Sequence, residues 1–477
     1  MARPNILWIC TDQQRYDTIH GLNNPHINTP NLDRLMGDGV TFTHAFSQSP
    51  VCTPSRAAFL TGRYPRTCLG RQNGQAVFPD HEVLVTRLLA DSGYDCGLSG
   101  KLHLAVCDPR SVGMEPRTND GYRKFHWSHH PSPDWEASEY GQWLAQQGKT
   151  WKELYQFPKG KLSGPGIPAA YHQTKWCADK AINFMKENRS GPWLMSVNPF
   201  DPHHPFDPPE EYLRRYDPAR VPPPKFRKGE LDNKPTFQKV DHQGAYGGKG
   251  MSCARATEQQ LREVVAAYYA MIEYLDASVG WMLDALDETG QRENTIVLFH
   301  SDHGEMLGEH GILLKGPYFY DCAIRTPLII SWHGQFKEGL HSDALVELVD
   351  LPQTILEACG MEAPLRMQGK SLLPILTGEA DPHVHKESIY CEYYNAMPGH
   401  DRSAWGTMYR DRTHKICVYH GRARGEGELY DLAADPDESR NLWDCPAHAD
   451  LKQDFILRCF DRAVFTADPW PPRTGNF

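Results

Sequence analysis

The 477-residue chain contains no apolar run near the roughly 18–20 residues that a membrane-spanning helix needs, so no membrane partner is expected. It has no long basic run either. Its 50 Lys and Arg face 60 Asp and Glu, a formal charge of −10 that argues against a nucleic-acid backbone as ligand. Paired cysteine spacing is also missing: the thirteen cysteines are odd in number and scattered, which speaks against a disulfide framework and for reduced thiols in a cytosol. The opening MARPNILWICTDQQ holds only about six consecutive apolar residues, too few for the core of a signal peptide. A cytoplasmic location is therefore expected. Internal repeats and low-complexity tracts are absent, which removes solenoids and linker arrays from consideration.

What the chain does have is alternation. NILWIC (5–10), DCGLSG (95–100), WLMSVN (193–198) and TIVLFH (295–300) read as strands, interleaved with helical patterns at 30–39, 169–188 and 258–290. Each strand is apolar almost throughout, which implies burial on both faces of a mostly parallel sheet in an α/β fold. Residues 104–168 and 201–256 interrupt the rhythm with Pro, Gly, His and Trp and read as loop-rich inserts. Beyond about residue 380 short strands take over, as in SIYCEYY (388–394) and THKICVYH (413–420). The expected organisation is a catalytic domain over 1–379 and a smaller α+β C-terminal subdomain over 380–477. The closing PWPPRTGNF is suited to packing on the surface or covering a site.

In an open α/β sheet, ligands gather at the carboxyl ends of the strands. The residues that follow the strands here are Asp12 and Gln13, Lys101 and His103, His203 and His204, and Asp302 and His303. Singly, each pair also fits a helix cap, a turn or a salt bridge. Together, Asp12, Gln13, Asp302 and His303 provide two carboxylates, an amide oxygen and an imidazole, a donor set for one divalent cation. Lys101, His103, His203, Lys315 and Arg56 add positive charge and proton donors, so a tetrahedral oxyanion is the natural ligand. Cys52, in PVCTPSRAAFLTGRY, stands where a helix should begin, a context that favours an anionic form but also suits a buried structural thiol.

At this point the residues carry a specific resemblance. CTPSRAAFLTGR (52–63) resembles the signature of the type I sulfatases of the alkaline phosphatase superfamily, and the likeness extends through PNILWICTDQ, GKLH (100–103), PHHP (202–205), SDHGEMLGEHGILLK (301–315) and ELYDLAADPDESRNL. The resemblance implies an alkaline phosphatase-like sheet flanked by helices, and oxidation of Cys52 by a maturation enzyme to formylglycine, with Pro54 and Arg56 part of the sequence that enzyme reads. One hydroxyl of the hydrated aldehyde would attack sulfur, and C–O cleavage would later expel sulfate. It further implies that Asp12, Gln13, Asp302 and His303 bind the metal beside residue 52. Lys101 and Lys315 would grip sulfate oxygens and Arg56 would help hold the diol, with His103 a candidate base and His203 a candidate acid for the leaving alcohol.

Many sulfatases have two adjacent aspartates where this chain has Asp12-Gln13, and Asp-Asn where it has Asp302-His303. Calcium is the family's usual ion, and this less anionic set with a nitrogen ligand also admits manganese. Asp-Gln and Asp-His are likewise seen in phosphonate monoester and phosphodiester hydrolases, which form the alternative reading, whereas GKLH favours a sulfatase. A non-catalytic binder of sulfated ligands is the third reading. The expected substrate is a small organic sulfate or sulfated saccharide. Trp127, Trp135, Trp143 and Trp151 in the first insert suit either sugar stacking or packing of the insert onto the core. Self-association is left open.

Overall fold

Strand β1 (Asn5–Thr11) is apolar along most of its length because both of its faces are covered. Successive side chains of a strand point to opposite faces. Ile6, Trp8 and Cys10 enter one core with Ala57, Phe59, Leu98, Leu298 and Ile355, while Leu7 and Ile9 enter a second with Leu35, Trp176, Phe184, Leu283 and Phe299. The computed structural model describes residues 3–108, 113–130, 138–400, 404–421 and 425–468.

The central sheet comprises β1, β2 (Val40–Phe42), β3 (Asp95–Gly100), β4 (Lys124–Trp127), β5 (Trp193–Asn198), β6 (Thr295–Ser301), β7 (Leu328–Ser331) and β8 (Leu340–Ser342). Their order is β8-β2-β7-β6-β1-β5-β3-β4. Only β7 runs against its neighbours β6 and β2, and the other adjacent pairs are parallel. In register, β1 pairs Ile6 with Leu194 on one side and with Ile296 on the other. The carboxyl ends of β1, β3, β5 and β6 are thereby brought side by side.

Helices cover both faces. On one lie α1 (Pro30–Gly37), α3 (Gln173–Met185) and the long α4 (Glu258–Glu288). The last begins with a capping box, in which Thr257 and Gln260 each accept the other's backbone N–H. On the other face lies α2 (Cys52–Thr61), every residue of which is buried. Each fully buried Leu, Ile or Phe in these layers contributes roughly 1.5–3 kcal/mol of burial free energy.

The antiparallel strands β9 (Ile389–Tyr393), β10 (Gly406–Arg410), β11 (His414–Tyr419) and β12 (Gly427–Asp431) form a second sheet in chain order. Helix α5 (Ala449–Phe465) packs on one of its faces through Phe455 and Cys459. Met408, Cys417 and Tyr419 on the other face meet Phe46, Tyr318 and Tyr320 of the main body. Within the first insert, expected to be loop-rich, Lys124–Trp127 forms β4, an edge strand of the central sheet. Among the described residues, no helix is long and apolar enough to cross a membrane.

Candidate active site

The turn after β1 is shaped by its own side chains. Asp12 N–H donates to Asp201 O (3.1 Å), and Gln13, in a left-handed conformation (φ 71°), donates its N–H to Asp302 Oδ1 (3.0 Å). Asp302 N–H in turn donates to Thr11 O (3.2 Å), so the ends of β1 and β6 are tied together and the Asp302 carboxylate is fixed by the turn after β1. After β3, Gly100 takes φ 100°, and a Cβ there would collide with the Asn198 carbonyl. That close approach delivers Lys101 into the same space.

Helix α2 presents Cys52 to this cluster. Its Sγ lies 3.6 Å from Asp12 Oδ1, 3.2 Å from His303 Nε2 and 2.9 Å from Lys315 Nζ. One turn along, Arg56 Nε donates to Asp302 Oδ2 (2.9 Å) and Nη1 to Lys101 O (3.0 Å), while Nη2 lies 3.5 Å from Asp12 Oδ2. Lys101 Nζ pairs with Asp12 Oδ2. All of these groups are buried.

The electrostatics follow from that crowding. Burial and the Asp12 charge push the Cys52 thiol up, but Lys101, Lys315 and His303 outweigh them and bring its pKa down to about 7. Burial likewise acts to raise the Asp12 carboxyl, and Lys101, Lys315 and Arg56 instead hold it well below the usual carboxylate range. His103 is kept neutral, far below the ordinary imidazole value, by burial first and then by Lys101 and His129. Burial, Lys315 and His204 do the same to His203.

Ligand atoms of Asp12, Cys52, Asp302 and His303 all lie within 4.8 Å of one another. His303 Nδ1–H is committed to the Gly304 carbonyl at 2.8 Å, which leaves Nε2 as the lone pair facing Cys52. The Gln13 amide N–H binds Glu305, and its Oε1 is buried without a hydrogen-bond partner. Two carboxylates, an imidazole nitrogen and an orphaned amide oxygen are what a divalent cation with oxygen and nitrogen preferences would satisfy.

His103 and His203 stand on the wall of a cavity of about 470 Å³ that also exposes Cys52, Lys101 and Lys315. His203 Nδ1–H donates to the His204 carbonyl at 2.6 Å, leaving Nε2 as its free nitrogen. His204 stacks on that ring (centroids 4.1 Å apart) and lines the cavity too. All the expected residues therefore converge in one place.

Several contributors were not foreseen from sequence. Asn73 Oδ1 accepts Thr53 N–H (2.9 Å), capping the start of α2. Glu305 binds Gln13 and accepts the N–H groups of Leu307 (2.8 Å) and Leu314 (2.5 Å), thereby fixing the loop that carries Lys315. His129 and Tyr246 line the cavity from the two inserts. Among the described residues, Trp127, Trp143 and Trp151 do not take part in this wall. Trp127 is buried with its indole N–H on Glu115, Trp143 and Trp151 pack against the α3 side of the core, and Trp135 and the tail 469–477 lie outside the described residues.

The family model described as Sulfatase matches residues 4–361. The chain belongs to the sulfatase family. A second model, N-sulphoglucosamine sulphohydrolase, C-terminal, matches residues 308–461 of this sulfatase-family enzyme. The chain is 31% identical to the multifunctional alkaline phosphatase superfamily protein PehA of Trinickia caryophylli, over 98% of its own length and 96% of the relative's. It is 28% identical to an arylsulfatase of Clostridium perfringens, over 92% of its own length and 90% of that protein's. Among solved structures it resembles the phosphonate monoester hydrolase of Agrobacterium radiobacter, with a TM-score of 0.83, 26% identity and coverage of 98% and 97%. The alkaline phosphatase-like fold expected from sequence is the fold observed.

Proposed function

We propose that this sulfatase-family enzyme hydrolyses sulfate monoesters at residue 52, releasing sulfate and an alcohol. The observation that carries the reading is the pair Lys101 and Lys315, two buried ammonium groups converging on Cys52 beside two neutral histidines. Oxidised to formylglycine and hydrated to the geminal diol, residue 52 would supply a hydroxyl nucleophile, and Asp12, Gln13, Asp302 and His303 would hold a divalent cation that supplies Lewis-acid activation and charge stabilisation.

The chain's own residues do the rest. Lys101 and Lys315 bind the non-bridging sulfate oxygens and stabilise the charge that builds on them. Arg56 fixes Asp302 and, through the Lys101 carbonyl, the backbone that carries Lys101. His103 is neutral at rest and so ready to take a proton near residue 52. His203 lines the same cavity as Lys315, and an anionic ester bound between them would favour its protonated form, as a general acid requires. The cavity walls contributed by Phe200, Tyr246 and Met397 accommodate a leaving group with an apolar face, which fits an aryl alcohol or a sugar.

A second reading, phosphonate monoester or phosphodiester hydrolysis, is favoured by the likeness to the Agrobacterium radiobacter enzyme and by the Asp-Gln and Asp-His metal pairs. The test is kcat/KM for an aryl sulfate and a matched aryl phosphonate monoester, on protein whose residue-52 peptide has been checked by mass for formylglycine. Preference for the sulfate supports the roles given to Lys101 and His103. Preference for the phosphonate overturns the primary reading.

A further inference from the structure

His103, Cys107 and His129 each offer one ligand atom, and these atoms all lie within 4.8 Å of one another on the wall of the cavity. The two imidazole rings meet edge to face with centroids 4.4 Å apart. His103 Nδ1 is buried and has no hydrogen-bond partner. Two imidazoles and a thiol are a donor set unlike the oxygen-rich one around Asp12. Nitrogen and sulfur ligands select zinc-like ions, and three protein ligands with one open position form a recurrent zinc geometry.

The two segments that carry these ligands are clamped together by one buried carboxylate. Glu115 accepts the N–H groups of His103 (2.9 Å), Leu104 (2.6 Å) and Ala105 (3.1 Å), just ahead of Cys107. It also accepts the indole N–H of Trp127 (3.1 Å), two residues before His129. A tetrahedral zinc ion would set its ligands roughly 3.4–3.7 Å apart, inside the 4.8 Å that encloses these three atoms. Burial first and then Lys101 hold both imidazoles below their ordinary pKa, and His129 Nδ1 is engaged with His130 Nδ1 at 3.1 Å. The thiol would lose its proton to solvent on binding, and the resulting thiolate offsets part of the added charge.

We propose that His103, Cys107 and His129 form a second, soft-metal site that takes Zn2+, and that its occupation inhibits the enzyme by removing the His103 ring from proton transfer. The site itself stands on these three residues alone. The inhibition rests on the role given to His103 in the proposed reaction.

The experiment uses the full chain as Cys52→Ala, stripped with chelator and titrated with Co2+ as a spectroscopic stand-in for zinc. With the residue-52 thiol gone, a thiolate-to-cobalt charge-transfer band is expected from Cys107. That band should vanish when Cys107→Ser is added and weaken with His129→Gln, which guards against misfolding of either variant. In formylglycine-containing enzyme supplied with Mn2+, Zn2+ should inhibit, and Cys107→Ser should raise the half-inhibiting concentration at least ~10-fold relative to its own uninhibited rate. No charge-transfer band in Cys52→Ala, a band that survives Cys107→Ser, or zinc inhibition unchanged by Cys107→Ser each overturns the proposal. A surviving band would move the thiolate elsewhere, first to the half-buried Cys445 beside His448. The cobalt band needs no turnover, so its loss is seen separately from any failure of the sulfatase reading.

Discussion

Lys315 and Lys415 are both fully buried ammonium groups, but their surroundings differ in kind. Lys415, on β11, donates to Asp321 Oδ1 (2.6 Å) and the Phe319 carbonyl (2.9 Å) and forms an ion pair with Glu438 Oε1 (2.5 Å). Lys315 meets a thiol sulfur at 2.9 Å and an imidazole nitrogen at 3.4 Å, and it borders a cavity. Taking a charge out of water is costly unless hydrogen bonds replace the lost hydration. Around Lys415 they do, and the cluster joins the second sheet to the main body. Around Lys315 the replacement is incomplete, as it is for the orphaned Gln13 Oε1 and His103 Nδ1. The cluster closed by carboxylates serves the fold, and the one that borders a cavity is suited to a ligand.

The largest expected break between the two regions comes from Cys52→Ala. It should lower kcat/KM by on the order of 10^4-fold or more, as loss of a nucleophile does, with a Tm shift of only a few degrees by calorimetry. Removing divalent ions with a chelator should cost several kcal/mol of transition-state stabilisation, about 10^3-fold in rate, restored by Mn2+ or Ca2+. An unchanged rate after verified metal removal would sink the metal assignment.

The two lysines themselves give a crossed test. Lys315→Ala should lose about 10^2–10^3-fold in kcat/KM with little loss of stability. Lys415→Met should cost about 3 kcal/mol in denaturant unfolding, because Glu438 and Asp321 lose a buried partner, while activity per folded molecule is retained. If both variants behave alike, the distinction between the regions fails.

The smallest effect concerns Glu392, on β9. Burial pushes its carboxyl up to about 7, against the Arg66 backbone N–H that it accepts at 2.7 Å. A raised folded-state pKa means that the native protein holds this proton more tightly than the unfolded chain. The contribution is therefore present below about pH 4.5 and lost as pH rises through about 7, at most about 3 kcal/mol. Glu392→Gln should flatten that part of the stability–pH curve in urea titrations at pH 5 and 7. An identical slope in both proteins would remove the carboxyl from the account.

Much of the fold was legible because buried parallel strands write themselves as apolar runs. β1, β3, β5 and β6 lie within a residue or so of their expected places, and α4 begins at the expected Glu258. The short strands β2, β7 and β8 were not anticipated, because a strand of three or four residues leaves no periodicity to read. The amphipathic α5 was also missed. In the site, residues just past strand ends could be picked out by topology. Asn73, Glu115 and Glu305 could not, since they act by accepting backbone N–H groups, a role that any buried polar residue can fill and that no spacing marks. Of the two roles open to the tryptophans of the first insert, Trp127, Trp143 and Trp151 take packing, a choice the sequence leaves open because an aromatic fit for stacking is equally fit for packing.

The burial of α2 has a consequence for the order of events in the life of the molecule. Cys52, Pro54 and Arg56 are all enclosed in the finished protein, Cys52 with 1% of its surface exposed and Arg56 with none. An enzyme that must grasp this stretch as an extended peptide finds it only on a nascent or newly released chain. If Cys52 is converted as proposed by such an enzyme, the conversion would be a race between maturation and folding. A chain that folded first would be sealed as thiol protein, and raising the supply of the modifying enzyme afterwards would not recover it.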